Sequence, residues 1–400
     1  MTNHWWESSA GVSTTLANVM RPIEDWASGL PNETYVSDAF AAWEQDVLLA
    51  RTWACIGTGR RVSEVGDTMP LEFAGLPLFM VRGRDGEVRV FHNVCSHRGM
   101  VLVQKPTRTH GAIRCPYHSW TYDLDGSLRS TPMIGGTDSH TCKGFEGAKH
   151  GLKPVRTATW FDAIFVNLSG DAPPFESFIA PVAERWKDFD GADLRYEESD
   201  SSFTLDVACN WKLAVENFCE AYHLPWIHPS LNSYSRLEDH YQIAEEEDGY
   251  AGQGSTVYRP QLAGNGNGFP TMPGLPERWH GTAEYVALFP TALFGVHADH
   301  CFVGTLMPAG NARTIEHLDI YYFADEAVGE GCAELREANT QLWRGIFEED
   351  RFVVEGMQRG RASPAYKGGV LSPALERTTH CFYRWVARKM LEAADTNGAA

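Results

Sequence analysis

The tightest constraint on this chain is a pair of short runs, Cys95-Ser-His97 and Cys115-Pro-Tyr-His118. Each offers one thiol and one imidazole, and 17 residues lie between the two runs. Thiolates and imidazoles grouped at such spacing imply a borderline or soft metal, which leaves zinc or an iron–sulfur cluster. A zinc knuckle usually pairs Cys with Cys, whereas each arm here mixes Cys with His. The β-rich residues around them place both arms at hairpin tips.

Two tips, each with one thiolate and one imidazole, can hold two irons, with both thiolates on one and both imidazoles on the other. That is the Rieske [2Fe–2S] arrangement, in which neutral His ligands raise the reduction potential. Gly99 suits a tight loop in the first arm, and Pro116 with the neighbouring aromatics suits shielding in the second. A structural zinc site is the alternative. Cys55, Cys142, Cys209, Cys219, Cys301, Cys332 and Cys381 form no second set and read as small buried hydrophobes.

The 400 residues allow two or three domains. Residues 1–50 read as helical, with apolar residues at helical spacing from Phe40 through Trp53. Residues 51–168 read as a small all-β domain, with runs such as 77–83, 87–93 and 163–168 separated by Asp-Gly turns. A Pro-rich polar stretch at 169–178 marks a boundary. Residues 169–400 read as an α+β domain of antiparallel strands followed by helices over 328–362 and 374–394. The Gly- and Pro-rich stretch 245–280 reads as a long loop or lid.

A net charge of −18 argues against a nucleic-acid surface and suits a cationic substrate. No apolar run is long enough to span a membrane, and the N-terminal residues lack a signal-peptide pattern. Nine cysteines without a secretory signal fit reduced thiols in a cytoplasm.

A second constellation lies at 210–230. Asn217, Glu220 and His223 are three apart, which on a helix places them on one face. His228 is five beyond His223, about 140° around a regular helix, so two histidines on one ion require the helix to end or bulge. Pro225 and Pro229 supply a reason for a break. Two histidines and one carboxylate form the facial triad of non-haem Fe(II) oxygenases, with positions open for O₂ and substrate. For the carboxylate, Asp350 falls within the apolar stripe of a helix carrying Trp343, Ile346, Phe347 and Val354, where a carboxylate is costly unless paired or ligated. Glu348, Glu349 and Glu355 compete but point more to the polar face. His297 and His300 lie three apart across a hairpin, a spacing that on a strand points them to opposite sides, and read as pocket or structural residues.

Taken together, the Rieske pattern and Asn210-Trp-Lys…Glu216-Asn217…Glu220…His223…His228 resemble the terminal oxygenase (α) subunit of Rieske non-haem iron oxygenases, over about residues 40–365. The resemblance implies a Rieske domain and a catalytic domain with an antiparallel sheet and covering helices, helix-grip-like, the N-terminal segment packing on the latter. It implies a [2Fe–2S] cluster on Cys95, His97, Cys115 and His118, and mononuclear Fe(II) on His223, His228 and Asp350. It also implies a homotrimer, in which an acidic residue links a Rieske histidine of one subunit to an iron-ligating histidine of the next. Glu220 matches that position, with His118 and His223 as its partners and Asn217 beside it. The family commonly has Asp there, and Glu is similar to the subgroup that oxidises small quaternary ammonium compounds such as carnitine, glycine betaine or choline.

By the same resemblance, O₂ is the oxidant and NAD(P)H electrons arrive through a separate flavin or iron–sulfur reductase, with or without a ferredoxin. The product is a hydroxylated compound or, for a methylammonium, a hemiaminal that loses formaldehyde in net N-demethylation. No dinucleotide fingerprint is present in this chain. Tyr222, Trp226, Trp279, Tyr285, Phe289 and Phe294 are the candidates for an aromatic cage around a cationic head. An oxygenase acting on an aromatic compound is the alternative enzyme, and a Rieske electron carrier or redox sensor the alternative of another class.

Overall fold

The computed structural model describes residues 4–189, 191, 194–198, 200–244, 249–262 and 268–398. Two compact units are formed: one by residues 50–172, the other by the segments up to Leu49 and from Pro173 onward.

In the 50–172 unit, β-branched and aromatic runs broken by Asp-Gly turns give ten strands among the described residues. They are β1 (Ala54–Thr58), β2 (Asp67–Phe73), β3 (Leu76–Arg82), β4 (Val88–His92), β5 (Thr107–Arg108), β6 (Ile113–Arg114), β7 (Thr121–Tyr122), β8 (Leu128–Ser130), β9 (Pro154–Trp160) and β10 (Ala163–Asn167). One antiparallel sheet runs β1-β10-β9-β4-β3-β2-β5, and a small one runs β6-β7-β8. Register places Phe79 opposite Phe91 across β3 and β4. These two rings join Val81, Trp120, Tyr122 and Leu124 in a core that also contains Cys95 and Cys115. The helical spacing read through Trp53 stops at Leu49, because the fully buried run 54–58 pairs with β10 instead.

The other unit begins with three short helices, α1 (Ser9–Leu16), α2 (Glu33–Val36) and α3 (Asp38–Glu44). Beyond Pro173 come α4 (Phe175–Arg185), β11 (Ser202–Val207), α5 (Trp211–Cys219), α6 (Leu224–Ile227), β12 (His240–Ala244) and β13 (Tyr250–Ser255). They are followed by β14 (Ala283–Leu288), β15 (Ala292–Val296), β16 (His300–Pro308), β17 (Thr314–Tyr322), α7 (Ala333–Arg361) and α8 (Arg377–Gly398). The strands form one antiparallel sheet in the order β11-β17-β16-β15-β14-β13-β12. β13, β14 and β15 are buried along their whole length; for β14 and β15 this is consistent with largely apolar runs that do not alternate, while β13 is buried despite its Gly and polar residues. The stretch 245–280 is therefore not one loop: Gly-rich β13 pairs with β14 inside it, and the parts at 245–248 and 263–267 lie outside the described residues.

α5 leads into the second constellation, and buried charge holds it at both ends. Asn210 caps it by accepting from the Lys212 N–H. The Lys212 ammonium, fully buried, contacts both carboxylate oxygens of Glu44 at 2.8 and 3.0 Å, and the Trp211 indole donates to Glu44 as well. At the next turn Glu216 accepts from Arg361 on α7 at 2.6 Å and from the Tyr35 hydroxyl, while Arg361 stacks over the Tyr35 ring. Such pairs specify geometry more than they add net stability, since desolvation offsets much of their attraction.

Candidate metal centres and active site

The two Cys/His arms form matching loops. After β4 the first closes with Cys95 N–H donating to Met100 O and Gly99 N–H to Cys95 O. Between β6 and β7 the second repeats this, with Cys115 N–H to Trp120 O and Ser119 N–H to Cys115 O. Four residues after each Cys stands a left-handed residue, Gly99 at φ +76° and Ser119 at φ +59°. In the first loop glycine takes that conformation without Cβ strain.

Both thiols are buried and unpaired, while His97 and His118 are exposed at the tips with ring centroids 4.7 Å apart. Tyr122 OH lies 3.1 Å from Cys95 Sγ, and His97 stacks on Trp120. Burial holds the Cys95 thiol above its ordinary value, and the neighbouring Cys115 adds to the rise. Two thiols converging inside and two imidazoles outside are the donor set a [2Fe–2S] cluster needs. Of the remaining cysteines, Cys142 is exposed and Cys332 half-buried, so the buried-hydrophobe reading does not apply to them; the other five are buried.

The second centre is built where α5 stops. Glu220 leaves the helix in extended conformation, and α6 is one turn long, with His223 as its N-cap and His228 as its C-cap. Pro225 lies in the first turn of α6 and starts that turn rather than breaking α5. The common face expected for Asn217, Glu220 and His223 is lost with the helix. Instead Glu220 folds over the turn, where one carboxylate oxygen accepts from the N–H groups of Tyr222 and His223 and the other lies 2.6 Å from His223 Nδ1.

His228 is held in the same way. Its Nδ1 lies 2.7 Å from Glu349 on α7, and its Nε2 lies 2.9 Å from Asp350 Oδ1. His223 Nε2 lies 3.5 Å from the same Asp350 oxygen. A carboxylate only accepts, so each Nδ1 carries a proton; each Nε2 faces Asp350, to which it donates as an imidazolium, and gives up that proton when it ligates a metal. The three ligand atoms, His223 Nε2, His228 Nε2 and an Asp350 oxygen, lie within 4.8 Å of one another, close enough to share one metal ion. Burial draws both imidazoles down, but Glu220 and Asp350 around His223, and Asp350 and Glu349 around His228, outweigh it and leave both raised. Two imidazoles and one carboxylate fit a divalent iron with open positions.

A cavity opens on this group, with about 50 Å³ of free volume where a single water takes about 10–15 Å³. Phe218, Tyr285, Trp343 and Phe347 wall it, and Asn217, Ser235, His240 and Gln253 give it a polar side. Among the described residues no lysine or arginine lines it. Of the expected cage, Tyr285 alone is present. Tyr222, just before the N-cap of α6, and Trp226, within its single turn, are 40% and 68% exposed. Phe289 packs on Phe382 and Trp385 of α8, Phe294 against Trp186, and Trp279 against Phe189.

Three residues escaped the sequence reading as wall-formers. Trp343 and Phe347 lie seven and three positions before Asp350, one helical face, and that periodicity was a usable signal. Phe218, beside Asn217, carried none. Glu349, read as a polar-face residue, is the partner of His228, while Glu348 and Glu355 pair with Arg351. His297 and His300 do not face opposite sides. A two-residue turn separates them between β15 and β16, so their rings stack at 4.1 Å.

Several known proteins are similar to this chain. The model of the Rieske [2Fe–2S] domain matches residues 52–141, and that of the ring hydroxylating alpha subunit (catalytic domain) matches residues 194–392. The carnitine monooxygenase oxygenase subunit of Acinetobacter pittii is 26% identical over 350 residues, 86% of this chain and 88% of that protein. The glycine betaine monooxygenase oxygenase subunit of Pseudomonas aeruginosa is 26% identical over 407 residues, 92% of this chain and 90% of that protein. Among solved structures, the quaternary ammonium Rieske monooxygenase CntA in complex with L-carnitine superposes with a TM-score of 0.73 at 24% identity, covering 96% of this chain and 98% of that one. Naphthalene 1,2-dioxygenase from Rhodococcus sp. gives 0.73 at 18% identity over the same shares, a likeness of fold.

Proposed function

Because the chain belongs to the Rieske non-haem iron oxygenases as an alpha subunit, we propose that it oxidises a small quaternary ammonium compound of the glycine betaine, choline or carnitine type. It is an oxidoreductase, a terminal oxygenase that needs a separate reductase, with a Rieske domain and a catalytic domain of the mononuclear-iron type. When bound, the cluster supplies single electrons and the iron a site for reducing O₂.

The observation that carries the substrate reading is the cavity itself: an aromatic box of about 50 Å³ beside His223, His228 and Asp350, with no lysine or arginine among its described lining. Ring faces attract a trimethylammonium head by about 0.5–2 kcal/mol each when desolvated. Asp350, Glu220 and Glu349 add negative charge around the ligands.

In this reading Cys95, His97, Cys115 and His118 hold the cluster, and His223, His228 and Asp350 hold the iron. Glu220 keeps the proton of His223 Nδ1 fixed and bridges to His118 of a neighbouring copy in a homotrimer. Asn217 lines the cavity beside the ligands. No described helix is long and apolar enough to cross a membrane, and nine cysteines without a disulfide among them support a reducing, cytoplasmic setting.

A panel of glycine betaine, choline, carnitine and aromatic acids, supplied with a reductase and NADH, tests the reading. Formaldehyde release or hydroxylation confined to the ammonium compounds is the expected result. Turnover of aromatic acids alone transfers the activity to the aromatic class, and no O₂ consumption with any of them leaves an electron carrier.

A further inference from the structure

Behind the cavity wall lies a buried pair of histidines that neither metal centre uses. His297 follows β15 and His300 begins β16, joined by His297 N–H donating to His300 O at 2.9 Å. Their rings stack with 6° between planes, and both are 1% exposed.

Each reaches one aromatic wall of the cavity. His297 Nε2 lies 3.2 Å from the Tyr285 hydroxyl. His300 Nε2 accepts from the Trp343 indole N–H, also at 3.2 Å. The Asp299 carboxylate, which can only accept, takes the other ring proton of His300 at 2.6 Å, and this leaves Nε2 free as the acceptor. Thus one tautomer is fixed, and with it the orientation of the indole. Tyr285 and Trp343 meet edge to face at 5.8 Å, and Phe302 backs both.

We propose that His297 and His300 are positioning residues that set the substrate specificity of this site, by fixing the orientation of the Tyr285 and Trp343 rings that line the cation-accepting cavity. This rests on the quaternary ammonium reading. Cation–π attraction depends on the ring face being presented, so a ring free to turn its edge inward loses the preference for positive charge over equal bulk. Burial keeps His297 neutral, so that ring adds no positive charge against a bound cation.

The test uses the holoenzyme and matched ligand pairs: choline and glycine betaine, each against the analogue in which a tert-butyl carbon replaces the quaternary nitrogen. Calorimetric dissociation constants and KM report the preference, while iron content and the Rieske spectrum report the integrity of the site. His300→Leu removes the acceptor, His300→Gln retains one, and Tyr285→Phe keeps the ring but cuts its tie to His297. We expect the preference for the onium ligand to fall about tenfold in His300→Leu and in Tyr285→Phe, to recover in His300→Gln, and to be lost through KM rather than kcat. If His300→Leu fails to fold, Tyr285→Phe decides. A parent that prefers onium ligands together with variants that prefer them equally overturns this inference alone. A parent that binds both analogues equally overturns the onium reading and this inference with it.

Discussion

Glu349 offers the sharpest check on the iron centre. Its carboxylate accepts from His228 Nδ1 at 2.7 Å, and the imidazole it holds is buried while Glu349 itself is 45% exposed. A carboxylate behind a ligating histidine fixes the tautomer and raises ligand basicity, and its loss costs about 10–100-fold in metal affinity. Water reaches Glu349 and replaces part of what it does, so Glu349→Ala falls at the low end, about tenfold or about 1.4 kcal/mol. The counterpart on the other ligand, Glu220, is only 12% exposed and closer to its imidazole at 2.6 Å. Glu220→Ala is therefore expected nearer the upper end of that range. The measurement is competition for iron against a graded chelator series in the apo-mononuclear protein, with the Rieske absorption as internal standard. Glu348→Ala is the control, because Glu348 pairs with Arg351 and touches neither histidine. Equal iron affinity in Glu349→Ala and the parent, or an equal loss in Glu348→Ala, refutes the reasoning.

Four further outcomes are expected. Asp350→Ala releases about one iron of about three per chain and leaves the Rieske spectrum unchanged; full activity with all iron retained removes Asp350 from the ligand set. Glu220→Gln keeps both metal centres but lowers steady-state turnover by about 10²-fold, and unchanged turnover sinks the bridging role. Glu44→Ala strands the Lys212 ammonium in the interior and costs about 3–5 kcal/mol in urea denaturation, whereas Glu44→Leu combined with Lys212→Met recovers most of it. His297 has its folded-state pKa depressed by burial, so its neutral form is the folded one and an acid medium favours unfolding. Below the unfolded pKa of about 6.5, stability falls as pH falls, by up to about 1.4 kcal/mol per pH unit for this one proton; His297→Leu should flatten that slope between about pH 6.5 and 5 in urea midpoints.

Local chemistry was legible in the sequence wherever one short segment carries it. Cys95, His97, Cys115 and His118 need only two tight loops, and the β-rich flanks at 88–92 and 113–122 placed them at tips. The antiparallel strands expected within 169–400 were legible for the same reason, since 283–288, 292–296 and 300–308 are largely apolar runs closed by turn residues. Where a site is assembled from separate elements, nearness along the chain misled. Tyr222 and Trp226 are neighbours of His223 and His228 in sequence, yet one precedes the single turn of α6 and the other stands on its outer face, so both are exposed. Trp343 and Phe347 lie more than a hundred residues from His228, yet they share a helix face with Asp350, and the periodicity that selected Asp350 selects them too. The same contrast explains His297 and His300: alternation holds along a strand, but a two-residue turn converts positions i and i+3 into cross-strand neighbours that face one another. A cavity wall of this kind is therefore better sought from the helical and hairpin neighbours of a ligand than from its neighbours in sequence.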